Sequence, residues 1–461
     1  MKILYSCHGS SLNLFSKINQ EFKKDNQITK AGFIVSNKSF YENNFLKNNL
    51  SFEKNNLLLK EWEIFNKFKK NPFKYNLKNL KKFENSFEDN YNLIDAVVAD
   101  RRIFFGKDSS FFQDYKRRYN DGELYSLIYN YYGEINRFIT KFKPKVFVNF
   151  LPVNLFDYLA YLICKKKKIK IFTLRSAKIR DYVFFSQSFF DPSPELAARY
   201  NLLRKKKNKK IAKDFLRELN QKKNYFYEGV AKPSNKPALN IKFDNYLNFF
   251  KNFYFNFKNN FFSQDPQSIN LFKSYFYNGL YNKFNSIFSN RLIDKSFQKT
   301  KKIIEEKKLK FAFFPMHTEP EVSLLCYSKP YLNQIELIRQ VALSLPIDYV
   351  LLIKEHPWSV GKRKLSFYKK ILNIPRVYFV PSNFLSTQCI DISSLVFILS
   401  SSVGQEAVFL KKPVITFGNT NINILPKTNV LKVSNLTNLN QNIREILKNY
   451  KYSENEILSF K

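Results

Sequence analysis

The stretch DYVLLIKEHP, Asp348 to Pro357, decides the fold. A short β-branched and apolar run ends abruptly in charge and proline, as a buried strand does when it reaches the edge of a parallel sheet. Its neighbours repeat the pattern. FAFFPMH (311–317) and RVYFVP (376–381) read as strands, with helical periodicity on Tyr331, Ile335, Ile338, Ala342 and Leu345 and in KLSFYKKIL (364–372). SLVFILSSS (394–402) then runs into a helix beginning VGQEAVFLKK, and PVITFGN (413–419) is one more strand. Alternation of this kind specifies a parallel sheet covered by helices.

The N-terminal section alternates in the same way. KILYS (2–6), AGFIVS (31–36), AVVAD (96–100), KVFVNF (145–150) and IKIFTL (169–174) are of strand length, with a helix over 155–164 between the last two. From about 195 to 305 lysine-rich segments and helical periodicity take over. In FFKNFYFNFKNNFF (249–262), Phe249, Phe253, Phe257 and Phe261 form one helical stripe. That stripe suits either a membrane-surface helix or a helix packed on its neighbours. The expected class is therefore α/β: two Rossmann-like, doubly wound domains with a helical, Lys/Phe-rich segment between them. The expected boundaries are 1–190, 191–307 and 308–461.

Composition bounds the function. The chain has 461 residues, 44% of them hydrophobic, enough for two real cores. Lys and Arg total 77 against 38 Asp and Glu, a formal net charge of +39. Such an excess favours anionic partners. Abundant Lys, Asn, Phe and Ile with only 10 glycines reads equally as the imprint of an AT-rich genome. Lysine is dispersed along the chain, and no RNP-like or zinc-finger pattern is present, which argues against nucleic acid. Cys7, Cys164, Cys326 and Cys389 lie far apart and read as reduced thiols of a cytoplasmic protein. The N-terminus reads as a strand rather than a signal peptide. The run 146–164 is interrupted by Asn149, Pro152, Asn154 and Asp157, so strand, loop and helix fit it better than a membrane span.

All three histidines fall at expected strand ends, where ligands bind in open α/β sheets: His8, His317 and His356. Pro357 biases His356 toward extended geometry, and an imidazole held beside Lys354 suits a phosphate oxygen; a turn with a solvated charge cluster is the plainer alternative. In SSSVGQEA (400–407), Ser402 and Gln405 have capping-box spacing, and Gly404 would let the backbone approach a ligand. Free N–H groups there, with Ser400, Ser401 and Ser402, would make an anion site. Glu319 and Glu321 straddle Pro320 beside His317. They read as an acid/base or hydroxyl-binding pair, or equally as carboxylates at a helix start. No GxGxxG, Walker A, HExxH or DxD pattern occurs, so nothing calls for a metal or cofactor.

These motifs, in this order, resemble the capsule polysaccharide biosynthesis family. FFPMHTEPEVSL, LLIKEHP and SSSVGQEAVFLKKPVITFG match its FPLH-x-x-PE, KEHP and Ser-x-x-Gly-x-EA…FG signatures over about 311–419. The resemblance implies a metal-independent GT-B glycosyltransferase of surface polysaccharide biosynthesis, similar to Kdo transferases that use CMP-Kdo and to sialyltransferases with a His-Pro motif. It would place His356 and Pro357 at the donor phosphate and Ser401, Ser402 and Glu406 near phosphate and ribose. His317, Glu319, Glu321 and His8 are the catalytic candidates. The implied partners are a nucleotide sugar, CMP-sugar favoured, and a glycan or lipid-linked glycan acceptor. The basic surface would hold a cytoplasmic protein at the anionic inner face of the membrane. The alternatives are a sugar-nucleotide epimerase of the same twin-domain fold and a non-catalytic basic membrane- or nucleic-acid-binding protein.

Overall fold

The computed structural model describes residues 1–24, 30–49, 51–87, 92–104, 119–177, 182–205, 281–306, 309–319 and 321–460. The aromatic stripe at 249–262 lies outside them. The described chain builds two six-stranded sheets. The first contains β1 (Lys2–His8), β2 (Lys30–Ser36), β3 (Leu57–Lys60), β4 (Val146–Asn149), β5 (Lys170–Ser176) and β6 (Val183–Ser186). Its order is β3-β2-β1-β4-β5-β6, parallel except where β6 runs against β5. The second contains β7 (Lys310–Pro315), β8 (Tyr349–Lys354), β9 (Val377–Val380), β10 (Ser393–Ile398), β11 (Val414–Thr416) and β12 (Val430–Lys432). Its order is β12-β11-β10-β7-β8-β9, parallel throughout. Both are doubly wound, so the strand order reverses at β1/β4 and again at β7/β10, the positions where such sheets open a crevice.

The strand runs are continuously apolar because both faces are covered. On β8, Val350 and Leu352 enter one core cluster, whereas Tyr349, Leu351 and Ile353 enter the cluster on the opposite face. Helices Gln334–Ser344 and Leu365–Leu372 supply the second face. The strand stops at Lys354: His356 N turns to Glu355 Oε1 at 2.7 Å, and Pro357 opens a 3₁₀ turn. The run 146–164 is β4, a loop and helix Leu155–Lys166. Among the described residues, no helix is long and apolar enough to cross a membrane.

One expected strand is a helix. AVVAD falls in helix Leu93–Ala99, capped by the Asn92 side chain, which accepts from Asp95 N. Leu93, Ala96, Val97, Val98 and Ala99 are all buried, so the run shows no helical period and cannot be told from a strand by pattern. The short strands β3, β6 and β12 escaped the reading.

The two units touch. Tyr327, in the segment after β7, donates to Phe189 O at 2.9 Å, and Lys329 pairs with Asp95. Helix Pro194–Leu203 meets the C-terminal helix Glu454–Phe460, where Arg204 pairs with Glu456 at 2.9 Å. Helix Asn282–Glu306 lies against the second sheet, its Ser296 hydroxyl accepting from Phe379 N at 2.9 Å.

Gly404 takes a different role from the one expected. It is buried in helix Val403–Phe409, and a Cβ there would stand 2.3 Å from Ile398 Cδ1 and 2.9 Å from Ile422 Cδ1. The missing side chain lets the helix close on β10 instead of admitting a ligand. Gly404→Ala should therefore destabilise the protein by about 1–3 kcal/mol through overpacking, checked by urea denaturation. An unchanged midpoint would show that the isoleucines yield freely.

Candidate functional site at the two switch points

The loop after β7 carries His317 to Glu319 and Glu321. The loop after β8 carries Glu355 and His356 into a short 3₁₀ turn, Pro357–Ser359. One buried cation holds both. Arg363 is 0% exposed; its Nε lies 2.8 Å from Glu355 Oε2 and its Nη1 3.2 Å from Glu319 Oε1. Its Nη2 donates to the carbonyl of His317. Gln334, at the start of its helix, accepts from His317 N at 2.8 Å and donates to His317 O at 3.1 Å and to Glu319. Glu355 in turn accepts from His356 N at 2.7 Å and from the Tyr368 hydroxyl at 3.2 Å. Burial pushes the Glu355 carboxyl up, and the neighbouring Arg363 pulls it back.

Glu319 therefore departs from the catalytic role suggested by the sequence. It is 1% exposed and committed to Arg363 and Gln334, a counter-ion rather than a group within reach of substrate. Glu321 is the exposed member of the pair. Its carboxylate lies 3.6 Å from His317 Nδ1. Loss of water around it would raise its pKa, but the hydrogen bond to His317 prevails and holds it below the usual range.

Hydrogen bonds assign the histidine tautomers. His317 Nε2 accepts from Ser400 N at 3.4 Å, leaving Nδ1 to carry the proton toward Glu321. His317 thus bridges the β7 and β10 loops across the crevice, which occupies the nitrogen a general base would use. His356 is the reverse. Its Nδ1 accepts from Trp358 N at 3.2 Å, so Nε2 bears the proton and is the donor. Burial pushes His356 down to about 4, so it is neutral at neutral pH. Trp358, 48% exposed, packs edge-on against this ring.

The β10 loop completes the crevice. Ser400 is buried and donates to Ser323 O at 2.8 Å; Ser401 Oγ accepts from Val403 N at 3.2 Å. The expected Ser402–Gln405 capping box does not form: Ser402 is the N-cap but already has helical backbone angles, and Gln405 N donates to its carbonyl at 2.9 Å instead of its hydroxyl. Ser402 is exposed instead. Lys354 is buried, and loss of water lowers its pKa. It lies close enough to Glu406 for each to shift the other; loss of water pushes the half-buried Glu406 up to about 8.

The first sheet has its own cluster at β1/β4, which the sequence reading located only through His8. His8 Nδ1 faces Ser36 Oγ at 3.1 Å and Asn154 Nδ2 at 3.2 Å. Asn154 Nδ2 can only donate, so His8 Nδ1 accepts and Nε2–H is again the donor. That tautomer does not suit His8 to abstract a proton. Asn154 also donates to Asp157 Oδ2 at 2.7 Å, and Ser6 donates to Oδ1 at 2.8 Å. Behind them Asp100 accepts from Leu155 N and, with Glu61, grips Arg102. Burial pushes His8 down to about 4, with Arg102 adding to the effect, and pushes Asp157 up to about 6. The missed signal was Asn154-x-x-Asp157, a capping pattern opening an apolar helix. Among the described residues, no group of three or more His, Cys, Asp or Glu is placed to hold a metal ion. All four cysteines are free thiols.

Asp157 carries a pH dependence. Its folded pKa is about 6, above the ordinary 3.9 of an unfolded chain, so the native state binds the proton more tightly. Its stabilising contribution is complete below about pH 4 and is lost as pH rises through 6. Asp157→Asn should gain up to roughly 2–3 kcal/mol on wild type at pH 8 and nothing at pH 4, read from melting curves at both values. An equal effect at both would show that Asp157 does not titrate in that range.

Against this geometry the comparisons fall into place. The family model described as capsule polysaccharide biosynthesis protein matches residues 272–428, bearing out the resemblance carried by the motifs. No curated protein sequence matches the chain. Among solved structures, the chain is similar to Thermosulfurimonas dismutans KpsC, beta Kdo 2,7 transferase, at 13% identity, covering 71% of this chain and 79% of that one, with a TM-score of 0.37. The KpsC beta Kdo 2,4 transferase of the same organism is similar at 10% identity, covering 69% and 79%, with a TM-score of 0.36. UDP-GlcNAc 2-epimerase from Neisseria meningitidis is similar at 13% identity over 100% and 96%, with a TM-score of 0.26. Superpositions this loose carry no argument about activity, and the fold is read from the two sheets themselves.

Proposed function

We propose that this chain is a glycosyltransferase of surface polysaccharide biosynthesis. It takes a nucleotide sugar, CMP-sugar favoured, in the β7/β10 crevice and transfers the sugar to a glycan or lipid-linked glycan. In this reading residues 308–461 hold the donor, residues 1–190 face the acceptor, and 191–307 connect them. The family match over 272–428 supports the assignment, since it contains all the crevice loops of the second sheet.

The observation that carries the reading is the His356 tautomer. A neutral imidazole whose Nδ1 is occupied by Trp358 N presents Nε2–H as a fixed donor at the carboxyl edge of β8. A donor held in one rotamer suits a phosphate oxygen, and neutrality avoids the cost of burying a further charge. Ser401 and Ser402 line the opposing loop, where donor phosphate and ribose would lie. Glu321, exposed and ionised, is the carboxylate of this edge available to an acceptor hydroxyl; the catalytic base is left unassigned. Lys and Arg in excess would keep the protein on an anionic membrane face, where lipid-linked acceptors reside.

Titration calorimetry with CMP, UDP and GDP, on wild type and variants, tests the donor site. His356→Ala should lose a hydrogen bond to a charged group, about 1.5–3 kcal/mol or roughly 10- to 150-fold in affinity. The melting temperature should stay within a degree or two, and His356→Gln should recover part of the affinity. A lowered melting temperature with unchanged affinity would reduce His356 to a structural turn residue. With acceptor present, glycan extension rather than interconversion of the free nucleotide sugar distinguishes a transferase from an epimerase.

A further inference from the structure

Residues 64–83, IFNKFKKNPFKYNLKNLKKF, contain seven lysines and no aspartate or glutamate. They form the end of helix Glu61–Lys70, a loop, and helix Leu77–Glu84. The apolar residues divide into two sets. Ile64, Phe65, Phe68, Leu80 and Phe83 are buried in the first unit's core. Phe73, Leu77 and Tyr75 are turned outward, 62%, 51% and 36% exposed.

This outward set sits on an ordered loop. The Ser126 hydroxyl donates to Lys74 O at 3.0 Å, the Tyr75 ring packs edge-on against Tyr125, and Phe73 lies beside Gly122. Folding thus leaves three large apolar side chains in water, in a stretch that also carries Lys69, Lys70, Lys74 and Lys78, all exposed. A cleft of about 410 Å³ adjoins this surface, lined in part by Lys82, Arg137 and Lys166. Glu134, on the same wall, is already held by Lys67 at 3.2 Å and Arg137 at 3.0 Å. Burial lowers the Lys166 ammonium, and the like charges of Lys167 and Lys82 lower it further. The surface therefore combines outward aromatics with crowded cations.

We propose that the loop Asn71–Leu77 is a membrane-docking edge. It seats Phe73, Tyr75 and Leu77 in the interfacial layer of an anionic bilayer while Lys69, Lys70, Lys74 and Lys78 meet headgroup phosphates. Aromatic rings favour that layer and lysines beside it are drawn to anionic lipid. A soluble polyanion would use the lysines but leave the apolar trio without a partner. This deepens the membrane-face reading above and rests on it, adding where contact is made.

Co-sedimentation of the full chain with phosphatidylcholine vesicles containing about one third phosphatidylglycerol tests it. Wild type should bind, with part of the binding surviving raised salt because the apolar anchor is not screened. Phe73→Ser/Leu77→Ser should weaken binding by roughly tenfold or more and abolish the salt-resistant part. Lys74→Glu/Lys78→Glu should weaken it by roughly fivefold or more per lysine. Phe73→Trp, which keeps the fold's contacts, should shift its emission to the blue with these vesicles and not with phosphatidylcholine alone. Serine and glutamate variants that bind as tightly as wild type, or a Phe73→Trp emission that does not move, overturn the docking edge while leaving membrane association to another surface. Wild type that ignores the vesicles overturns both readings, as does salt-sensitive capture by inorganic polyphosphate without vesicle binding.

Discussion

Arg363 is the interaction on which the second crevice depends. A fully dehydrated guanidinium costs several kcal/mol unless its charge and donors are matched, and here two buried carboxylates and a carbonyl share it. These partners come from two site loops, those after β7 and β8. Glu355 precedes His356, Glu319 follows His317 by two residues, and the carbonyl is that of His317. Removing the cation would leave two buried carboxylates facing each other, so the loops stay put because the alternative is worse. The approach is secured by Gly361 at φ +82°, where a Cβ would stand 2.3 Å from Asn282 O. Asn285 then donates to both Gly361 O at 2.8 Å and Arg363 O at 2.6 Å, anchoring the turn to helix Asn282–Glu306.

The architecture was legible because buried parallel strands leave little choice of residue. DYVLLIKEHP, FAFFPMH and SLVFILSSS gave β8, β7 and β10 to within a few residues, and all three histidines stand at carboxyl edges. What failed did so for physical reasons. Complete burial removes amphipathic period, so AVVAD looked like a strand. Three- and four-residue edge strands such as β12 carry too few side chains to make a pattern. The Ser402 box satisfied its spacing, but the Ser402 backbone is already helical and its carbonyl takes the Gln405 N–H. Spacing in sequence could place a carboxylate near the crevice but not say which way it turned, so Glu319 and Glu321 looked equivalent until one was found on Arg363.

The two sheets solve the same problem with different polar groups. Each reverses strand order beside a histidine, and each fixes that ring by a donor to one nitrogen. In the first sheet the donor is a side chain, Asn154, whose other contacts tie it to Asp157 and Ser36. In the second it is backbone, Trp358 N for His356 and Ser400 N for His317. The outcome is a division of labour among three rings of one chemical type. His8 and His356 each offer Nε2–H, while His317 turns Nδ1 to Glu321 on its own loop and spans the crevice through Nε2. The sequence offered His8 and His317 as catalytic candidates and His356 as a phosphate ligand; the hydrogen bonds leave two donors and a bridge.

The same distinction bears on the +39 charge. Where a cation is wrapped by several acceptors this chain uses arginine. Arg102 grips Asp100 and Glu61, Arg175 meets Asp191 and the Phe190 carbonyl, and Arg376 donates to Pro346 O at 2.8 Å and Ala342 O at 2.9 Å. A planar fork with five donors can satisfy such sites, and a compact ammonium cannot. Among the described residues lysine is otherwise left outside the buried class, where a composition bias can write it without consequence. Lys354 breaks that rule. Among the described residues it is the one lysine in the buried class, at 7% exposed, and desolvation works against its charge. At the end of β8 its ammonium and the Glu406 carboxyl each favour the other's charged form, against the loss of water that opposes both.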